Sequence, residues 1–207
     1  LKDRSVKNML IKAIQSGKLS KDKIIIDSEF SNNLLEMEKS FMDSPAKLIY
    51  DNKGQTELSY FWDDLGLVKG KCRPDWISDN GSIVIDLKTT IDASPKGFQK
   101  SISHWGYHLQ LGWYLRGLQK LGLDSYDFIF IAIEKTPPFS VGVYRADQEM
   151  INFAMNKLDE IVPEIDKALT AQEFPDYTPE IMSLGLPPWM TDKKQPQLQE
   201  QEEVELY

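Results

Sequence analysis

A chain of 207 residues is long enough to bury a full hydrophobic core and fits one domain of ordinary size. Its 41% apolar and 27% charged content matches that of water-soluble globular chains, and no apolar run approaches the roughly 18 residues that span a bilayer, so no membrane role is expected. The formal charge of −8 excludes a protein that coats nucleic acid through bulk positive charge, but it leaves room for a local basic track. A single cysteine, Cys72, rules out an internal disulfide and agrees with a cytoplasmic location.

In chain order, Val6, Met9, Leu10, Ala13 and Ile14 recur at the spacing of one helical face, which predicts a helix over 5–16 ended by Gly17. Residues 31–42 and 45–50 read as two further short helices, the second opened by Pro45 in its first turn. From Gln55 the pattern changes to strands at 57–62, 66–78 and 82–88, expected to form an antiparallel meander. A short helix near 95–101 and a longer one over 103–121 follow. Strands return at 126–134 and 141–145, and Asp147 is placed to cap a last helix. That helix carries Met150, Ala154, Leu158, Ile161 and Ile165 on one side and is expected to kink or break at Pro163. Residues 191–207 are rich in Gln and Glu, with five acids against two lysines, and read as a disordered acidic tail. The order of elements predicts one α/β domain over 1–190, helical over 1–50, with a mixed central sheet flanked by helices.

Asn80-Gly81 between two strand-like runs is a strong hairpin signal, because a type I′ turn needs positive φ at both central residues. That turn fixes a register, with Ser78 opposite Ile83, Trp76 opposite Ile85 and Asp75 opposite Asp86. Two aspartates then face each other with Cβ atoms roughly 5 Å apart. Lys88, two residues past Asp86, shares their face, while Ile83, Ile85 and Leu87 are assigned to the core side with Trp76. Carboxylates this close repel by about 3 kcal/mol at an effective dielectric near 20, so a cation is expected between them. Mg²⁺, with Mn²⁺ able to substitute, takes oxygen ligands of this kind; here they would be Asp75, Asp86 and the Leu87 carbonyl. Lys88 would orient or deprotonate an attacking water, or stabilise charge on phosphate oxygens.

Lys69, Lys71 and Arg73 share the parity of Asp75 and would line the approach to it as a short phosphate track; the competing reading is a solvated strand face. His104 and His108 have the i, i+4 spacing of a zinc pair, but only Cys72 offers a soft third ligand, so a hydrogen-bonded or DNA-facing His108 is expected instead. Trp105, Tyr107, Trp113 and Tyr114 are of the kind that stacks on bases, although core packing is the commoner use of such a cluster. Cys72 alternates away from Asp75 and is expected to be buried and unreactive.

The strings "KCRPDW", "VIDLKTT" and "YHLQLGWY" resemble the nuclease domain of RecE-type phage and prophage exonucleases, within the PD-(D/E)xK superfamily that also holds lambda exonuclease and the RecB nuclease domain. The similarity runs from about Ser31 to Trp189, where "LGLPPW" resembles the closing segment of that family. The resemblance implies digestion of double-stranded DNA ends from the 5′ side, leaving a 3′ strand for a single-strand annealing protein, by a ring-shaped homo-oligomer. It also implies Asp75 and Asp86 as metal ligands, Lys88 as the catalytic lysine, and Gln110 and Tyr114 as the Gln-x-x-x-Tyr pair. Glu57 resembles the acidic residue on the strand before the PD motif, the alternative being a salt bridge to a strand lysine. Relatives also use an upstream metal-binding histidine, whereas the first histidine here is His104. The alternative functions are a catalytically silent DNA-binding or assembly module and an endonuclease or processing partner within a larger complex.

Overall fold

A computed structural model describes residues 28–47, 52–123, 125, 127–178 and 180–187. The central sheet consists, in spatial order, of β1 (Gly54–Thr56), β4 (Trp76–Ser78), β5 (Ile83–Thr90), β6 (Asp127–Glu134) and β7 (Val141–Arg145). β5 and β6 run parallel from Ile83 opposite Asp127 to Thr90 opposite Glu134, and the other neighbours are antiparallel, so the sheet is mixed as expected. β6 is apolar and buried at every interior position, the pattern of a strand covered on both faces. On one face Ile77, Val84, Phe128 and Phe130 meet Phe98, Leu111, Leu118 and Ala154 from three helices: α2 (Pro95–Trp105), α3 (Tyr107–Lys120) and α4 (Gln148–Ala171). On the other, Trp76, Ile85, Ile129, Ile131 and Ile133 are covered by Ala46 and by Met37 and Phe41 of α1 (Ser28–Met42).

The expected three-stranded meander divides between two sheets. The run 66–78 breaks at Pro74, which lacks a backbone donor for a ladder, leaving β3 (Val68–Cys72) on one side and β4 on the other. β3 pairs instead with β2 (Tyr60–Leu65) in a separate two-stranded hairpin. Glu57 lies outside any strand, at φ 55°. The small hairpin docks on α3 through Trp62, whose ring lies flat over Gly117 and against the Trp113 ring at 5.0 Å between centroids. Beside it, Arg116 holds the fully buried Asp64 carboxylate with Nε at 3.0 Å and NH2 at 2.8 Å, and reaches Asp159 of α4 at 2.6 Å.

The register around residues 80 and 81 is the expected one, with Trp76 opposite Ile85 and Ile77 opposite Val84. The turn that sets it is different. Only Gly81 takes a positive φ (74°), and its amide donates to the Ser78 carbonyl at 2.8 Å. Asn80 stays out of the left-handed region because its side-chain oxygen accepts from Ser78 Oγ (2.7 Å), Ser82 Oγ (2.8 Å) and the Ser82 amide (3.1 Å). Leu87 is not a core residue: it is 44% exposed, beyond the edge of the apolar layer that buries Ile85.

The expected helix over 103–121 is broken at Gly106, whose φ of 69° ends α2 and starts α3. α4 runs without interruption through Pro163, which sits on the solvent face, where the carbonyl left without a partner is open to water. The face α4 buries is Ala154, Leu158 and Val162; Ile165 is 42% exposed. The helix expected over 5–16 and the tail over 191–207 lie outside the described residues, and of 45–50 only 45–47 are described. Among the described residues no helix is long and apolar enough to cross a membrane.

Candidate active site

β5 alternates so that Val84, Asp86 and Lys88 face α3. Asp86 is 2% exposed, an unusual place for a carboxylate. Its Oδ1 accepts from Gln110 Nε2 at 3.0 Å, and its Oδ2 lies 2.5 Å from Lys88 Nζ. Apart from that ion pair, Oδ2 has no hydrogen-bond partner among the described residues. Lys88 Nζ also donates to Gln110 Oε1 at 2.8 Å and sits 4.4 Å from the centre of the Tyr107 ring. One amide thus bridges an acid and a base that are neighbours on the same strand face. Gln110 is fixed in turn by Tyr114, one helical turn on, whose hydroxyl accepts from Gln110 Nε2 at 3.0 Å and donates to the Arg73 carbonyl at 3.5 Å.

Asp75 enters from the start of β4. Its Oδ2 accepts the Leu87 amide at 2.6 Å, which pins the carboxylate against β5 beside Asp86. Burial pushes the Asp86 carboxyl up, and the Asp75 charge adds to that; the hydrogen bonds from Lys88 and Gln110 and the Lys88 charge oppose it without cancelling it. A buried carboxylate next to a second carboxylate, held in a charge-disfavouring environment, is a donor set that suits a hard divalent cation. Asp75, Asp86 and the Leu87 carbonyl are the groups that would hold it. No cluster of three or more His, Cys, Asp or Glu able to hold a metal exists among the described residues, so the set comprises two carboxylates and a backbone oxygen.

The remaining expected residues divide. Arg73 and Lys71 line a groove of about 390 Å³ with Ser59, Phe61 and Tyr114, directly beside the Gln110 hydrogen bond. Lys69 lies farther along β3, exposed and 3.4 Å from Asp63. Glu57 pairs with Arg73, Oε2 to Nε 2.9 Å, rather than with a lysine, and its amide donates to the Asp75 carbonyl at 3.2 Å. His108 is not brought to the site: its Nδ1 is 3.3 Å from the Ile102 carbonyl, and its ring meets Phe153 in a separate cleft with Gln99 and Asp147. The break at Gly106 puts His104 and His108 on different helices, which undoes the zinc spacing. Cys72 is buried, and burial pushes its thiol up to about 12. Trp105 is 66% exposed, while Tyr107 and Tyr114 pack partly against the core.

Tyr107 as a platform for Lys88 was not anticipated, although its position three residues before Gln110 on one helical face was readable. The Asp64–Arg116 pair carried no local signal, because its members are 52 residues apart.

No curated protein matches the chain. Among solved structures, a candidate exonuclease from Eubacterium rectale is similar to it at 14% identity and a TM-score of 0.60, over 87% of this chain and 72% of that one. A phage-related exonuclease from Haemophilus somnus 129PT matches at 11% identity and a TM-score of 0.38, over 84% of this chain and 91% of that one. Residues 3–184 match the family described as a PDDEXK-like domain of unknown function (DUF3799). With Asp75, Asp86 and Lys88 meeting on one bent hairpin beneath Gln110, and with a family match that spans most of its length, the chain belongs to this PDDEXK-like domain family.

Proposed function

We propose that the protein is a Mg²⁺-dependent deoxyribonuclease that degrades double-stranded DNA from its ends, 5′ to 3′, with Mn²⁺ able to replace Mg²⁺. The observation that carries this reading is the coupling of Asp86, Lys88 and Gln110 within 3.0 Å, with Asp75 fixed beside them by the Leu87 amide. Asp75 and Asp86 are the metal ligands, with the Leu87 carbonyl as a third oxygen. The cation, when bound, supplies charge to polarise the phosphodiester and to acidify an attacking water. Lys88, held between Asp86, Gln110 and the Tyr107 face, presents one ammonium group to the water or to the phosphate oxygens. Gln110 keeps both partners in place, and Tyr114 ties it to the segment between β3 and Asp75. Lys71 and Arg73 grip the DNA backbone.

The resemblance of the strings "KCRPDW", "VIDLKTT" and "YHLQLGWY" to RecE-type phage exonucleases supports a role in producing 3′ single strands for a single-strand annealing protein in a bacterial cytoplasm, by a homo-oligomeric ring around the duplex. Linear duplex labelled at the 5′ or the 3′ end, incubated with Mg²⁺ and either wild type or Lys88→Ala, tests the assignment. Wild type should release 5′-labelled mononucleotides first and spare closed circular DNA. Equal degradation by the variant refutes the role of Lys88, and sedimentation of a strict monomer on DNA refutes the ring.

A further inference from the structure

Both oxygens of Asp86 are already engaged: Oδ1 accepts from Gln110 Nε2 at 3.0 Å, and Oδ2 lies 2.5 Å from the Lys88 ammonium. Oδ2 is shut off from solvent, and the whole side chain is only 3% exposed. A cation that takes Asp86 as a ligand must therefore displace one of the two partners. Lys88 is the one in conflict, because two positive charges on one carboxylate repel, whereas a neutral amide donor supports a metal-bound carboxylate. The lysine is itself occupied. Of its three donors one is committed to Asp86 and a second to Gln110 Oε1 at 2.8 Å, and the Tyr107 ring stands 4.4 Å from the nitrogen. An ammonium held in this way is not yet free to act on water or phosphate.

We infer that Lys88 holds the place of the metal in the free protein, and that metal binding is an exchange in which its ammonium gives up Asp86 Oδ2. The ammonium stays in the site. Its contacts with Gln110 Oε1 and the Tyr107 face do not involve Asp86, and they keep it beside the position it vacates. One event thus fills the carboxylate and frees a lysine donor, so that Lys88 becomes available for chemistry only once the cation is in place. The exchange also accounts for the stability of the empty site. A buried carboxylate without a counter-charge is strongly destabilising, and in the metal-free protein Lys88 supplies that charge. This inference deepens the nuclease reading and rests on it for the identity of the cation site.

The test measures Mn²⁺ binding in the absence of DNA, by isothermal titration calorimetry, so that no turnover enters. Lys88→Met keeps the bulk of the side chain and removes its charge. It should bind Mn²⁺ about tenfold more tightly than wild type, because the site no longer has to be vacated first. Lys71→Met removes an exposed cation from the neighbouring groove and should leave the affinity within about twofold, which separates exchange from a general change of charge. A second measurement needs only wild type to be folded. Nitrogen-15 NMR follows the lysine ammonium groups, with the Lys88 signal identified by its absence from Lys88→Arg. In the metal-free protein this ammonium should exchange its protons slowly with water, and saturation with Mg²⁺ should shift the signal and speed the exchange. Equal or weaker Mn²⁺ binding by Lys88→Met overturns the inference, and so does a Lys88 signal that Mg²⁺ leaves unchanged. If wild type still cleaves linear duplex in Mg²⁺ after either result, the nuclease reading stands and only the exchange falls. Tighter binding by Lys88→Met, with no cleavage of any DNA by wild type, upholds the exchange and refutes the nuclease. Absence of Mn²⁺ binding by wild type and variant alike refutes the exchange, and absence of cleavage alongside it refutes the nuclease as well.

Discussion

Gln110 of α3 donates to Asp86 of β5 at 3.0 Å, and the same side-chain amide accepts from Lys88 at 2.8 Å. A leucine at 110 fills similar space but supplies neither bond. Gln110→Leu should lower kcat about 100-fold with little change in KM, as expected when a group acts by orienting an acid and a base, each proton-transfer partner being worth roughly 10²–10⁴. Steady-state kinetics on a labelled linear duplex checks this; a rise in KM with kcat unchanged would mean that Gln110 only holds DNA.

Lys88 is 16% exposed in its side chain and shares its charge with a carboxylate that is 3% exposed. Removing one member of such a pair strands the other. Lys88→Met should abolish cleavage and also lower stability by about 3 kcal/mol. Adding Asp86→Asn should return most of that stability and none of the activity. Urea denaturation of the metal-free proteins measures the cycle, and additive losses would show that the two groups are not coupled.

The Asp64 carboxyl is pushed up by burial, but hydrogen bonds from Arg116 and Trp62 and the charges of Arg116 and Lys120 outweigh this and hold it below the usual carboxylate range. A carboxyl lowered on folding stabilises the protein fully above its unfolded value, near about 3.9, and that contribution disappears as pH falls through the folded value. Between pH 7 and pH 5 the stability gap between wild type and Asp64→Asn should be constant. Below pH 4 it should narrow. Thermal melts across that range test it, and a gap that widens in acid contradicts the assignment.

A Cβ on Gly117 would lie 2.4 Å from the Trp62 ring. Gly117→Ala should therefore push the small hairpin off α3, costing about 1–3 kcal/mol as an overpacked contact. Tryptophan fluorescence should shift to the red as Trp62 becomes hydrated. Because Asp75 and Asp86 belong to the other sheet, the variant should lose DNA affinity before it loses kcat.

Lys71 faces the groove, whereas Lys69 stands against Asp63. Lys71→Ala should reduce the slope of log affinity against log salt by about 1, and Lys69→Ala should change it far less. Titrations at several salt concentrations distinguish the two; equal slopes for both variants would replace the groove by a diffuse basic face.

The catalytic register was readable because it depends on local chemistry: a turn-forming Asn80-Gly81 and the strict alternation of β5. The turn type was not, since Asn80 prefers to serve two serines as an acceptor, a choice made by side chains outside the dipeptide. Pro74 and Gly106 were visible as breakers, but strand-like alternation on both sides of Pro74 and aromatic residues on both sides of Gly106 disguised them as interior positions of longer elements. Lys69 shares the exposed face of β3 with Lys71 but lies one pair farther along the hairpin, beside Asp63, outside the groove that Lys71 and Arg73 line. Of the two readings of His108, the hydrogen-bonded one holds, through the Ile102 carbonyl, and the helical spacing to His104 is lost because Gly106 interrupts the helix. Pairings such as Asp64 with Arg116 are products of the tertiary fold, and no window of sequence contains both.

Pro74 has an evolutionary consequence. It leaves Asp86 and Lys88 on the central sheet and Lys71 on the small hairpin, with the fully buried Pro74 at one of the points where the chain passes between the two. Lengthening or reshaping the loop at 65–67 can thus alter what is held, while the spacing of Asp75, Asp86 and Lys88 stays as it is. Relatives with one chemistry and diverse nucleic-acid preferences are the expected outcome of such a hinge.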